Sequence, residues 1–120
     1  MMSAKFLELE KPNKNGRTYP THVIKAALLA FKEKTQQDMF PIFKEPSLHH
    51  SMEDIVGFAT NVRVEDGFLQ GNIGFIEGKI EHILSDEIIN IRPNGIGSVK
   101  DGIIQEDYRI TGFSIVRKPV

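Results

Sequence analysis

Hydrophobic and polar positions along this chain change period several times, and each change marks an element. Lys5 to Glu10 alternates apolar Phe6, Leu7 and Leu9 with charged neighbours and reads as a short strand. A turn-rich stretch follows, Lys11-Pro12-Asn13-Lys14-Asn15-Gly16-Arg17, whose Asn-Gly pair accepts positive φ at low steric cost. Ile24, Ala27, Leu28 and Phe31 then recur at helical spacing, with Lys25, Lys32, Glu33 and Lys34 facing the other way. This predicts a helix from about His22 to Gln36, with Thr21, just after Pro20, as its N-cap.

Asp38 to Met52 holds two prolines and no clean period, so an exposed loop or an irregular strand is expected there. Apolar runs at Ile55 to Val64 and Phe68 to Phe75 flank Glu65-Asp66-Gly67, a strong hairpin signal. Ile80, Ile83, Leu84 and Ile88 lie at i, i+3, i+4 and i+8 and predict a second helix over Glu77–Ile89. Gly95 to Val99 and Ile103 to Val116 flank another Asp-Gly turn, Asp101-Gly102. On that last strand Tyr108, Ile110 and Val116 are expected on one face and Arg109, Thr111, Phe113 and Ile115 on the other. Strands outnumber helices and the hairpins are antiparallel. The expected class is α+β: an antiparallel sheet or small β-barrel with two helices, in a single domain over residues 1–120.

Composition narrows the function. A formal net charge of −1 gives no global field for nucleic acid or an anionic membrane. No cysteine is present, which removes disulfides and thiolate chemistry. Met1-Met2-Ser3-Ala4-Lys5 lacks the apolar core of a signal peptide, and no run approaches a membrane span, so an intracellular setting is expected.

Few residues offer chemistry. His49-His50 supplies imidazoles for general-base work or metal binding. Neighbours on a strand point to opposite faces and no further ligand stands nearby, so a metal site is not expected and two ordinary loop histidines are the plainer reading. Ser98 ends Gly95-Ile96-Gly97-Ser98, where glycine N–H groups and a hydroxyl are the ingredients of acyl transfer. The same tetrapeptide is also an ordinary glycine-rich strand edge. The acidic pairs Glu53-Asp54, Glu65-Asp66, Asp86-Glu87 and Glu106-Asp107 read as solvated charges. Lys32, Lys34, Lys44, Arg117 and Lys118 form no basic stripe with aromatic partners, so nucleic acid is not an expected partner.

Taken in order, these pieces resemble the prohead core protease family of tailed bacteriophages. Its members process scaffold and capsid proteins during head maturation on a fold like herpesvirus assemblin. Asn13-Lys14-Asn15-Gly16-Arg17-Thr18-Tyr19-Pro20 matches the family's Asn-x-Asn-x-Arg-x-Tyr-Pro signature, and Val23, Ile24 and Ala27 fill the apolar positions of the helix after it. The family's Leu-Asn/Asp-His-Pro motif falls on Leu48-His49-His50-Ser51, which sets His50 on the catalytic histidine position. The serine motif, Ser-Ser-Arg-Gly-x-Gly-Ser, falls on Arg92-Pro93-Asn94-Gly95-Ile96-Gly97-Ser98. The closing strand falls on Tyr108 to Val116, with Ser114 in the place of an aspartate.

The departures carry the functional expectation. Arg92 and Pro93 stand where the family has its two serines, and neither side chain can form an acyl intermediate. Pro93 also lacks an N–H to offer an oxyanion. Ser98 lies five residues beyond Pro93, so bringing it to His50 by a register slip means moving it more than about a dozen ångströms along an extended strand. The resemblance therefore implies a non-catalytic protease-fold virion protein, a head decoration or cement protein on the major capsid shell. An active maturation protease using His50 and Ser98 is one alternative, and an assembly-regulating partner that binds capsid or scaffold segments by strand addition is another. The implied partners are the major capsid protein or other virion proteins, with possible homo-oligomers, no nucleic acid, no membrane and no cofactor or metal. The implied setting is the virion, and the host cytoplasm during assembly. Binding candidates are Met39, Phe40, Phe43, His49, Arg92 and Asn94, together with an N-terminal arm from Met1 to Leu7.

Overall fold

The computed structural model describes residues 2–46, 51–79 and 88–118. Its elements are β1 (Met2–Glu8), α1 (Thr21–Thr35), β2 (Met39–Phe43), a 3-10 turn (Met52–Asp54), β3 (Ile55–Glu65), β4 (Phe68–Phe75), β5 (Ile88–Ile96), β6 (Val99–Lys100), β7 (Ile103–Ile104) and β8 (Arg109–Lys118). Six strands make one sheet in the order β1-β4-β3-β2-β8-β5, and β6 with β7 makes a separate ribbon. All pairs are antiparallel except β2 with β8. The sheet curls until its edge strands β1 and β5 come within 8 Å at Cα level, giving a half-barrel.

Both Asp-Gly turns form as their sequence requires. Asp66 and Gly67 have φ of 52° and 80°, and Asp101 and Gly102 have 52° and 78°, the left-handed pairs that a two-residue hairpin needs. Helix α1 also forms as expected, burying Val23, Ile24, Ala27 and Leu28. Its cap differs. Pro20 occupies the N-cap with no side-chain hydrogen bond, and Thr21 is the first helical residue. The Thr21 N–H instead donates to the Glu10 carboxylate at 2.7 Å. A carboxylate here complements the positive helix end, and this hydrogen bond holds Glu10 below the usual carboxylate range.

Three expectations need correction or narrowing. The helix over Glu77–Ile89 is not found as such. Glu77 to Lys79 is a turn, Ile88 and Ile89 open β5 opposite Lys118 and Arg117, and residues 80–87 lie outside those described. The β-branched run Ile88, Ile89 and Ile91 suits a pleated surface. Second, of the two readings of Asp38 to Met52, a loop or an irregular strand, the strand holds for Met39–Phe43, which lies between β3 and β8 with a register shift between Ile42 and Phe43. Pro41 fits because the ladder to β8 starts only at Ile42, beyond the residue that lacks an N–H. Third, Met2 to Leu7 is no free arm but edge strand β1, paired along β4, with Phe6 and Leu7 buried.

A fourth difference concerns β8. Partners step from Asn94↔Gly112 to Gly95↔Ile110, so Thr111 is an extra residue on β8. One extra residue inverts the alternation. Tyr108 and Ile110 before it, and Phe113 and Ile115 after it, therefore all reach the core.

The core runs through stacked rings. Phe31 of α1 stacks on Phe40 at 3.9 Å, Phe40 meets Phe113 edge-on at 5.5 Å, and Phe113 meets Phe6 at 4.4 Å. Phe40 thus joins the helix to β8 and, through Phe113, to β1. Phe40→Ala is expected to cost about 3–5 kcal/mol of unfolding free energy in urea titration. A loss under about 1 kcal/mol would show that this ring chain does not organise the core.

Candidate functional site

The Asn13–Arg17 turn builds one wall of a cleft. The Asn13 side-chain carbonyl accepts from the N–H groups of Asn15 at 2.9 Å and Arg17 at 3.0 Å, closing the turn on itself. Thr18 then runs beside the β6–β7 ribbon, donating its N–H to Gly102 at 2.7 Å and accepting from the Ile104 N–H at 3.0 Å. A side chain at position 102 would meet the Gly16 carbonyl at 2.6 Å, so this approach needs glycine as well as its positive φ.

The opposite wall is the C-terminal half of β5. Tyr108 forms the floor and meets Tyr19 edge-on at 5.8 Å. Its burial, and then the neighbouring Tyr19, push its hydroxyl well above the usual tyrosine range, so it stays protonated. Together these walls enclose about 710 Å³, lined chiefly by Arg17, Tyr19, Phe43, Pro93, Asn94 and Tyr108. Ile96, 69% exposed, stands on the rim.

The glycines of the Gly-x-Gly-Ser segment have a packing reason. A Cβ at Gly95 would overlap the Tyr108 ring, and one at Gly97 would come within 2.7 Å of Tyr108 Cα. They make room for Tyr108. Ser98, exposed, donates its hydroxyl to Asp107 at 2.9 Å, and its N–H donates to the same carboxylate at 2.9 Å. Those bonds, led by the one from the Ser98 N–H, hold Asp107 below the usual carboxylate range. Ser98 and Asp107 thereby tie the end of β5 to the start of β8.

Pro93 lies opposite Phe113 on β5, which is an edge strand and so tolerates a missing N–H. Arg92 lies opposite Ser114 and Asn94 opposite Gly112. The Asn94 side-chain amide donates to the Ser114 hydroxyl at 2.6 Å, and Ser114 is 1% exposed. A buried hydroxyl therefore has its partner. His49 and His50 lie outside the described residues. Among the described residues no group of three or more His, Cys, Asp or Glu could hold a metal ion.

Of the binding candidates, Phe40 is corrected. It is 0% exposed, a core ring unavailable to a partner, because strand alternation turns Phe40 and Ile42 inward. Met39 is 39% exposed, and Phe43 lines the cleft. Asn94 lines the cleft as well, whereas Arg92 faces a second pocket nearer β1. Sequence reading did not single out Tyr19, Arg17, Tyr108 or Asp107 as site residues. Arg17 and Tyr19 were visible in the turn signature, and the glycine pair was the signal that a large side chain sits beneath it.

No protein-family model matches the sequence, and no curated protein matches it. Among solved structures, the bacteriophage T4 capsid assembly protease gp21 is similar, with a TM-score of 0.70 at 18% identity over 98% of this chain and 82% of that one. The chain therefore has a prohead-protease-like fold.

Two outcomes are expected from this geometry. Gly95→Ala should destabilise the fold by about 1–3 kcal/mol in urea titration, and a change within about 0.5 kcal/mol would contradict the Tyr108 overlap. In an NMR titration Asp107 should have its midpoint below the ordinary value of 3.8. A depressed carboxylate stabilises above its unfolded pKa, so the tie should persist there and fail only as pH falls through the lowered midpoint. Ser98→Ala should raise that midpoint towards the ordinary value. An unmoved midpoint would show that the hydroxyl contributes nothing.

Proposed function

We propose that this chain is a non-catalytic protease-fold protein of a phage head, which binds capsid or other virion proteins and serves as a decoration or cement protein on the major capsid shell. The observation that carries the reading is Pro93, a saturated ring at the position where the resembling proteases have their serine. It can neither attack a carbonyl nor donate an N–H to an oxyanion. Because a nucleophile and its partners act as a unit, its loss alone removes orders of magnitude of rate. The serine of the Gly-x-Gly-Ser segment, Ser98, donates to Asp107 and so is engaged in holding a loop.

What supports binding is the cleft that survives without that nucleophile. Its walls are aromatic and apolar, with Arg17, Asn94 and Thr111 as polar groups, and among the described residues β5 is an edge of the sheet beside it. An apolar groove next to a strand edge suits an extended segment of a partner, whose backbone pairs while its side chains enter the groove. A small domain used in many copies on a symmetric shell converts modest contacts into avidity. The reading requires no cofactor, treats residues 1–120 as one domain and sets the protein in the virion, and in the host cytoplasm during assembly.

The expected outcome is that the purified chain co-sediments with mature capsid shells and appears in purified particles at copy numbers on the order of those of the capsid subunit. Ile96→Asp, which sets a charge on the cleft rim, should weaken that association about tenfold, equivalent to about 1.4 kcal/mol. Absence from mature particles, with presence only in assembly intermediates, would overturn decoration in favour of a transient assembly role.

A further inference from the structure

We propose that the pocket at the seam between β1 and β5 is a docking site for a short, extended acidic segment of a partner protein. The pocket encloses about 380 Å³ where the half-barrel fails to close. Lys5, Lys11, Lys14 and Arg92 line it, against the single carboxylate of Glu8. Four cations against one anion leave a local formal charge of +3, so the rest of the chain, with −1 overall, carries −4. The pocket lining is therefore net positive on a chain whose remaining residues sum to net negative.

The cations are weakly committed. Lys5 rests over the Phe68 ring at 4.4 Å from its centroid. Lys11 reaches Glu8 only at 3.9 Å, with both side chains well exposed. Arg92 and Lys14 make no ion pair among the described residues. Arg92 springs from a paired strand and has a planar fork that suits a carboxylate, while the lysines add charge from the turn side.

The chemistry of the occupant follows from three exclusions. A strand cannot insert between β1 and β5, because two ladder spacings need about 9.6 Å and the edges already approach within 8 Å at Cα level. Recognition must then rest on side-chain charge. A long nucleic acid would be repelled by the acidic remainder of the surface, and Lys5 already occupies the face of Phe68 on which a base would stack. A lone phosphate at exposed lysines would rest on solvent-screened charges. A segment of three or four extended residues spans about 10–13 Å, which matches the run of β1 and β5 along the pocket, and can bring two carboxylates to it.

This site is independent of the cleft. The pocket uses Asn90 to Arg92 and the Asn13-Lys14 side of the turn, and the cleft uses β5 from Pro93 onward and Arg17. Whether the cleft cleaves or binds leaves the pocket unaffected.

The test is fluorescence anisotropy on the full chain, with a labelled peptide alternating glutamate and leucine and a counterpart with glutamine for glutamate. The acidic peptide should bind about tenfold or more tighter than the neutral one, and its affinity should fall steeply from ~0.05 to ~0.5 M salt. Arg92→Gln and, separately, the exposed Lys14→Glu should each weaken it by roughly threefold to tenfold with an unchanged circular-dichroism melt. Equal binding of the neutral peptide, or full affinity in Lys14→Glu, would overturn the proposal. So would tighter binding of single-stranded DNA, or displacement of the peptide by equimolar inorganic phosphate.

Discussion

A single ring sets what the most informative strand can do. Pro93 sits on β5, and β5 is the edge of the sheet, where a residue without an N–H breaks no necessary pairing. The strand therefore keeps its course while presenting a side chain with no hydroxyl and no donor. Its neighbours divide two surfaces between them. Asn94 turns to the buried hydroxyl of Ser114 beside the cleft, and Arg92 turns to the basic seam. On the proposed reading, this strand separates two places where other chains attach.

The packing behind that strand explains why the scaffold survives. β8 lies between β2 and β5, and its extra residue at Thr111 lets Tyr108, Ile110, Phe113 and Ile115 all reach the interior. Tyr108 holds the cleft floor, and Gly95 and Gly97 exist to admit it. The Ser98–Asp107 tie closes the loop over this packing. None of these contacts calls for a nucleophile, so the architecture is stable without one.

Much of this was legible in the chain, and the misses have physical causes. Helix α1 and the two Asp-Gly hairpins were readable because period and turn chemistry are local. The interior strand Met39–Phe43 was legible only as one of two readings, because Pro41 and Pro46 equally suit a loop, and only the late start of its pairing with β8 makes Pro41 tolerable. The apolar spacing of Ile80, Ile83, Leu84 and Ile88 fits a helix, yet Ile88 belongs to β5, because its place in a ladder with β8 is a non-local fact. The inverted phase of β8 followed from a bulge that no local signal announces. Phe40 could be read as a surface contact or as core packing under a long loop, and only its place on an interior strand decides for the core. Of the site, Pro93, Asn94 and the turn signature were visible, while the role of Tyr108 became plain only once its glycine partners stood above it.

The claim at the centre is that this fold no longer cuts protein. Its most direct measurement is to incubate the purified chain with unprocessed capsid and scaffold proteins and follow them by gel electrophoresis and intact mass. The account predicts uncleaved substrates over many hours. Specific cleavage that disappears in Ser98→Ala or His50→Ala would contradict it.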